Sequence, residues 1–211
     1  MLAELNHLVA SLQKRLSNSL PGQEAHQLAK VQSQTPFSFF NSIETPIPAS
    51  VLILLFPKDN DIHFFLTKRT DAVEHHKGQI SLPGGAREDG EQLQETAIRE
   101  TEEEIGVDKN IIQLVGGLTP FYIPVTGFMV HPFIGWCRKR PSTNIQIDEV
   151  HKLFTVSLST LLDDQIFQSE NWEIRGQKAV VPFYNFEGRK VWGVTASILS
   201  EFKLILKDMK L

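Results

Sequence analysis

Cysteine is almost absent from this chain of 211 residues. Cys137 stands alone, which excludes an intramolecular disulfide or a cysteine metal cluster and makes a reducing, cytoplasmic compartment the economical expectation. Positive charge is not in excess either. Lys and Arg number 21 against 25 Asp and Glu, a net charge of −4, so no broad basic field exists to hold a nucleic acid, whereas a small anionic substrate needs only local charge. No apolar run approaches the ~20 residues that span a bilayer, and the first 20 residues lack the continuous apolar core of a signal peptide. No membrane partner is expected. Repeats and low-complexity tracts are also missing. What is there is an ordinary globular mixture, 41% hydrophobic and 22% charged, in a length that suits one domain with a short appendage.

Leu2, Leu5, Leu8, Val9, Leu12 and Leu16 recur at helical spacing, and Pro21-Gly22 stops that helix. A second short helix is expected over Glu24 to Val31, then an irregular stretch from Gln32 to Pro48. This arm, residues 1–45, is expected to pack on the domain formed by 46–211 or on a second copy in a homodimer. Ala49 to Phe56 and Ile62 to Thr67 read as paired strands across the turn-forming Pro57 to Asp61. Thr70 to Arg87 is polar, and Pro83-Gly84-Gly85 within it is expected to be a turn or loop. Helical periodicity resumes over about Gly90 to Ile105, with Leu93, Ala97, Thr101 and Ile105 four apart, an Asp89–Gln92 capping box and Gly106 as terminator. Ile111 to Leu118, Phe128 to Cys137, Lys152 to Val156, Trp172 to Ile174 and Lys178 to Phe186 read as strands, and Val194 to Leu206 as a helix. The fold class is α+β, a mixed β-sheet with helices on its faces.

The best-defined helix carries charges it should not favour. Glu100, Glu103 and Glu104 fall within roughly one 100° arc beside the apolar stripe, and Glu102 joins them in the last turn. Like charges three or four apart cost about 0.2–0.5 kcal/mol per pair, and anions near a helix C-terminus about 0.3–1 kcal/mol each. Either this is an ordinary acidic surface or a cation is recruited to it. Arg99 is one candidate, although a single guanidinium is a poor match for three carboxylates on a common face; a bound metal is the other. Oxygen ligands without His or Cys select magnesium or manganese. Gly84 and Gly85, a few residues upstream, let bare backbone approach a ligand, which suits phosphate chemistry.

The stretch Gly85 to Val107, GAREDGEQLQETAIRETEEEIGV, resembles the Nudix box, G-x5-E-x7-R-E-U-x-E-E-x-G-U with U apolar. Gly85, Glu91, Arg99, Glu100, Glu103, Glu104 and Gly106 match its fixed positions, and Thr101 is the one departure. The resemblance implies a Nudix-type α/β/α sandwich and a metal-dependent pyrophosphohydrolase. By that analogy Glu100, Glu103 and Glu104 hold Mg2+ or Mn2+ with help from the Gly85 carbonyl, and Arg99 orients the carboxylates. Glu91 supports the loop or reaches a metal through water. Glu100 is the first candidate for general base and Glu149 the second.

The segment before the box, Leu66-Thr67-Lys68-Arg69-Thr70, His76, Gly78-Gln79-Ile80 and Leu82-Pro83-Gly84-Gly85, is similar to the coenzyme A pyrophosphatase group of that superfamily. So are Leu118 to Pro132 and Val191 to Ala196. This implies cleavage of coenzyme A or acyl-coenzyme A to 4′-phosphopantetheine and adenosine 3′,5′-bisphosphate, with Arg69, His76, Gly84 and Gly85 binding substrate. Glu74, where the group's pattern has Arg, keeps a second substrate class open: ADP-ribose or a nucleotide sugar. A non-catalytic, ligand-sensing module is the alternative of a different kind. Arg138-Lys139-Arg140 is expected to be a solvated strand end, and Cys137 inert core.

Overall fold

The computed structural model describes residues 1–33, 45–70, 79–174 and 176–210. Helices α1 (Leu2–Leu16) and α2 (Gly22–Leu28) come first, then β1 (Gln32–Ser33), β2 (Ile47–Lys58), β3 (Asp61–Arg69), β4 (Ile80–Ser81) and β5 (Gly84–Ala86). Helix α3 (Leu93–Ile105) follows, then β6 (Gln113–Gly117), β7 (Phe121–Ile123), β8 (Phe128–Trp136) and β9 (Val150–Ser157). The chain finishes with α4 (Leu158–Leu162), β10 (Phe167–Ile174), β11 (Gln177–Phe186), β12 (Arg189–Trp192) and α5 (Gly193–Asp208). Among the described residues no helix is long and apolar enough to cross a membrane.

Alternation along β2 sets the layers, because successive side chains of a strand point to opposite faces. Leu52, Leu54 and Phe56 join Ala97, Ile105 and Val107 in a core under α3. Ile53 and Leu55 face the other way, into the larger core with Leu5, Leu8 and Leu12 of α1 and Leu199, Phe202 and Leu206 of α5. The result is an α/β/α sandwich about an eight-stranded mixed sheet, ordered β4-β3-β2-β8-β6, with a separate four-stranded sheet, β1-β11-β10 with β12 on β11. That smaller sheet could not be told from the larger by strand patterns alone.

Four expectations need correction. Strands β2 and β3 pair only at the turn, Phe56 to Lys58 against Asp61 to His63; from Ile47 to Leu55 β2 pairs instead with β8, and over Ala49 to Val51 also with β5. Gly84 and Gly85 are strand, not loop: Gly84 sits opposite Val51 and Gly85 opposite Ser50. A Cβ on Gly84 would lie 2.2 Å from the Ser50 carbonyl oxygen, so glycine is what lets this short strand close on β2. Helix α3 starts at Leu93 with Gln92 as N-cap, and the capping box is Gln92 with Glu95, not Asp89 with Gln92. The stretch expected to be irregular, Gln32 to Pro48, contains β1 and the start of β2, and its residues 34–44 lie outside the described residues.

Candidate functional site

Helix α3 is held at both ends. The Gln92–Glu95 box closes its first turn, and Gly106, at φ 69°, donates its N–H to the Glu102 carbonyl at 2.8 Å. This fixes the rotation that aims Glu100 and Glu104 at β5. A Cβ on Gly85 would lie 2.4–2.6 Å from the Glu100 carboxylate, and the Gly84 N–H donates to Glu104 Oε2 at 3.3 Å. Two carboxylates thus lie against a pair of glycines that have no side chains to keep them away.

Arg99 ties the acidic residues together. Its Nε donates to Glu91 Oε1 at 2.6 Å, Nη1 to Glu100 Oε1 at 2.9 Å and to Glu103 Oε2 at 2.8 Å, and Nη2 to the Ala86 carbonyl at 3.1 Å. Of the three carboxylates grouped by the helical wheel, the guanidinium serves two, Glu100 and Glu103, and leaves Glu104 unserved, as expected; its third carboxylate is Glu91. The fork of five donors spreads over residues before and after it in sequence, and one of the three, Glu91, is off the helix. Glu91 also accepts from Thr96 Oγ1 at 2.8 Å and the Glu88 N–H at 3.2 Å. Its hydrogen bonds, that from Arg99 foremost, hold its carboxyl well below the usual range, at about 2.

Glu104 has the opposite environment. It is 2% exposed, and burial pushes its carboxyl up to about 8, against the attraction of Arg69. The charges of Glu100 and Glu149 push the same way. Burial likewise raises Glu100, where Arg99 opposes it and Glu103 and Glu149 add to it. Arg69 approaches Glu104 with Nη1 3.6 Å from Oε1, too far for a hydrogen bond, and its buried Nε has no partner among the described residues. Strand register delivers Arg69 there: it lies opposite Val150 of β9, and the Thr70 N–H donates to the Glu149 carbonyl at 2.9 Å. The exposed Glu149 carboxylate is thereby carried to the rim of the same site.

The structure brings together Gly84, Gly85, Glu91, Arg99, Glu100, Glu103 and Glu104, with Arg69 and Glu149 across from them. Glu103 stays largely exposed, at 58% of its side chain, on the Arg99 side. His76, with Glu74, lies outside the described residues. The Arg69–Glu104 approach was missed from sequence, although one signal existed: on the helical wheel Glu104 falls roughly 20° from Ala97, inside the apolar stripe, where a carboxylate must be buried. As the side chains stand, no three His, Cys, Asp or Glu among the described residues are grouped to hold an ion, because Glu100 and Glu103 are drawn onto Arg99. The donor chemistry nonetheless suits a hard divalent cation. Glu100 and Glu104 offer oxygens only, are destabilised as anions by burial, and lie against the glycine backbone at 84 and 85.

Comparison with known proteins identifies the family. The NUDIX domain family matches residues 46–174. The mitochondrial Nudix hydrolase 15 of Arabidopsis thaliana is 36% identical over 186 residues, 84% of this chain and 65% of its own length. The chloroplastic Nudix hydrolase 22 of the same plant is covered over 53% of its length, so the chain spans well under two thirds of that relative. The Nudix hydrolase NudL of Photorhabdus laumondii is 31% identical, with 72% of this chain and 81% of its own length aligned. The peroxisomal coenzyme A diphosphatase ndx-8 of Caenorhabditis elegans is 36% identical over 55% of this chain and 51% of its own. Among solved structures, a Nudix hydrolase from M. smegmatis superposes with a TM-score of 0.52 at 16% identity, covering 86% of this chain and 97% of that one, which speaks for the fold.

Proposed function

Since the chain belongs to the Nudix family, we propose that it hydrolyses the diphosphate bond of coenzyme A or acyl-coenzyme A, releasing 4′-phosphopantetheine and adenosine 3′,5′-bisphosphate. The observation that carries the chemistry is the placement of Glu100 and Glu104 against the side-chain-free Gly84-Gly85 strand, with Arg69 offering an unpaired, buried Nε opposite them. The coenzyme A end of the reading rests on the segment around Arg69 and Gly84 and on the name of the nematode relative.

In this reading Glu100, Glu103, Glu104 and the Gly85 carbonyl hold Mg2+ or Mn2+. The ion, when bound, supplies neutralisation of the diphosphate oxygens and makes a water more acidic. Arg99 keeps the carboxylates in register: its bonds to Glu91 and to the Ala86 carbonyl anchor the guanidinium to the loop, so Glu100 and Glu103 are positioned before substrate arrives. Arg69 pairs with a phosphate oxygen through the N–H that Glu104 leaves unused. Glu100 takes the proton from the attacking water; Glu149 at the rim is the alternative acceptor.

Incubation with coenzyme A and magnesium in 18O-labelled water, followed by mass spectrometry of the products, tests this. The expected outcome is 4′-phosphopantetheine and adenosine 3′,5′-bisphosphate, one of them carrying a single label. Intact coenzyme A beside rapid cleavage of ADP-ribose would move the substrate to another nucleoside diphosphate derivative; no cleavage of any diphosphate would leave a ligand-sensing module.

A further inference from the structure

Away from the diphosphate site, a cleft of about 850 Å³ runs along β9, between the segment 140–145 and the turn joining β11 to β12. Small-molecule sites commonly enclose ~300–1,000 Å³. Arg69, Gly84, Gly85, Arg99, Glu100, Glu103 and Glu104 are not among its lining residues, so it is a separate space. Its walls are basic: Lys58, Arg140, His151, Lys152 and Arg189 line it against a single lining carboxylate, Glu187, which Arg189 holds at 2.9 Å. Lys58 is partly committed, donating to Thr155 Oγ1 at 3.1 Å and lying 3.5 Å from Asp59. Arg140, His151 and Lys152 are exposed and unpaired among the described residues. In a chain with a net charge of −4, such a concentration of unmatched cations is a local construction.

A second observation points to a ligand. His63 lines the cleft with its ring stacked on Phe56 at 6.3 Å, and its buried Nδ1 has no hydrogen-bond partner among the described residues. Buried polar atoms are paired in the large majority of cases; in its Nδ1–H tautomer this nitrogen has a proton to donate to an oxygen ligand once a ring rotation turns it toward the cleft. The positive field is felt at His63 itself: burial first, then Lys58 and Arg140, hold it below its ordinary pKa, against Asp61 and Asp59. The far wall is aromatic. Phe154 and Phe186 line it, and the Arg189 guanidinium lies 5.1 Å over the Phe154 ring.

We propose that this cleft is a second ligand site, taking a phosphate-bearing small molecule whose phosphate lies among Arg140, Lys58 and His63 and whose planar or apolar part lies along Phe154 and Arg189. The net negative charge of the chain as a whole disfavours a nucleic acid. Arg138-Lys139-Arg140, read from sequence as a solvated strand end, thus supplies one residue to a site. The segment 140–146 also docks on α3, Asn144 and Gln146 donating their N–H groups to the Ile105 and Glu104 carbonyls at 2.9 Å each, so the cleft and the diphosphate site share a wall element.

Full-length protein in EDTA, titrated with adenosine 5′-monophosphate while the His63 and His151 imidazole resonances are followed, tests the proposal. Saturable shifts of both are expected, with Kd weakened about tenfold or more in Arg140→Glu/Lys152→Glu and unchanged in Glu104→Gln. No shift up to ~10 mM, equal binding by that double variant, or equally tight binding of unphosphorylated adenosine would overturn it. The readout is independent of turnover, so failure here leaves the proposed diphosphate chemistry untouched.

Discussion

The Glu100 carboxylate occupies the space that a side chain on Gly85 would need, its atoms lying 2.4–2.6 Å from where a Cβ would stand. Glycine at 85 is therefore a condition for the position of Glu100. Gly85→Ala is expected to displace that carboxylate and to lower kcat on the diphosphate substrate by about a hundredfold, the scale of a ~1 Å misplacement. Thermal melting should move far less. Steady-state kinetics beside a melting curve checks both.

Glu104 links stability to pH with a definite sign. Its folded pKa of about 8 lies above the ordinary 4.5, so the folded state binds the proton more tightly than the unfolded chain does. In EDTA the stability contributed by the protonated form is complete below about pH 4.5 and is lost as pH rises towards 8, by on the order of a few kcal/mol. Glu104→Gln should flatten that slope in urea titrations across this range while abolishing turnover. A variant with full turnover would remove Glu104 from the proposed site.

Glu91 titrates with the opposite sign. Held at about 2 by Arg99 and its other donors, it contributes stability that is present above the ordinary carboxyl value of 4.5 and is lost as pH falls from there through 2. Glu91→Gln is expected to remove this acid-side dependence. Arg99→Lys, which replaces a fork by a point charge, should reproduce much of the loss and also lower kcat, because Glu100 and Glu103 lose their shared donor. Melting temperature against pH, with kinetics at pH 7, distinguishes the two variants.

Glu201 is fully buried and accepts from the Gly22 N–H, His26 Nε2, the Thr119 N–H and Thr119 Oγ1, the last at 2.6 Å. It pins α2 and the start of the 119–123 segment to α5. Glu201→Ala leaves those donors buried without an acceptor and is expected to cost roughly 3–5 kcal/mol, measured as a fall in the urea midpoint. Glu201→Gln should lose less.

Much of the site was legible in one dimension because it is helical. Residues three and four apart share a face whatever the rest of the chain does, so Glu100, Glu103 and Glu104 could be grouped by spacing, and Gly84 and Gly85 marked a close approach of backbone. Strand segments were legible for the same reason, through alternation, though their partners were not. That β2 pairs with β8 from Ile47 to Leu55 and with β5 over Ala49 to Val51 depends on contacts far apart in sequence.

Amino-acid order alone thus determined which groups are acidic, which bear no side chain and which share a helical face, since these follow from covalent structure and a fixed rise and turn per residue. Only the tertiary fold decided their states. Burial separated Glu104, at about 8, from Glu91, at about 2, and strand register set Arg69 opposite Glu104. Arg99 is anchored to β5 through the Ala86 carbonyl, and β5 is in turn placed by its pairing with β2. Desolvation and charge pairing depend on distance in space, which spacing along a chain does not encode.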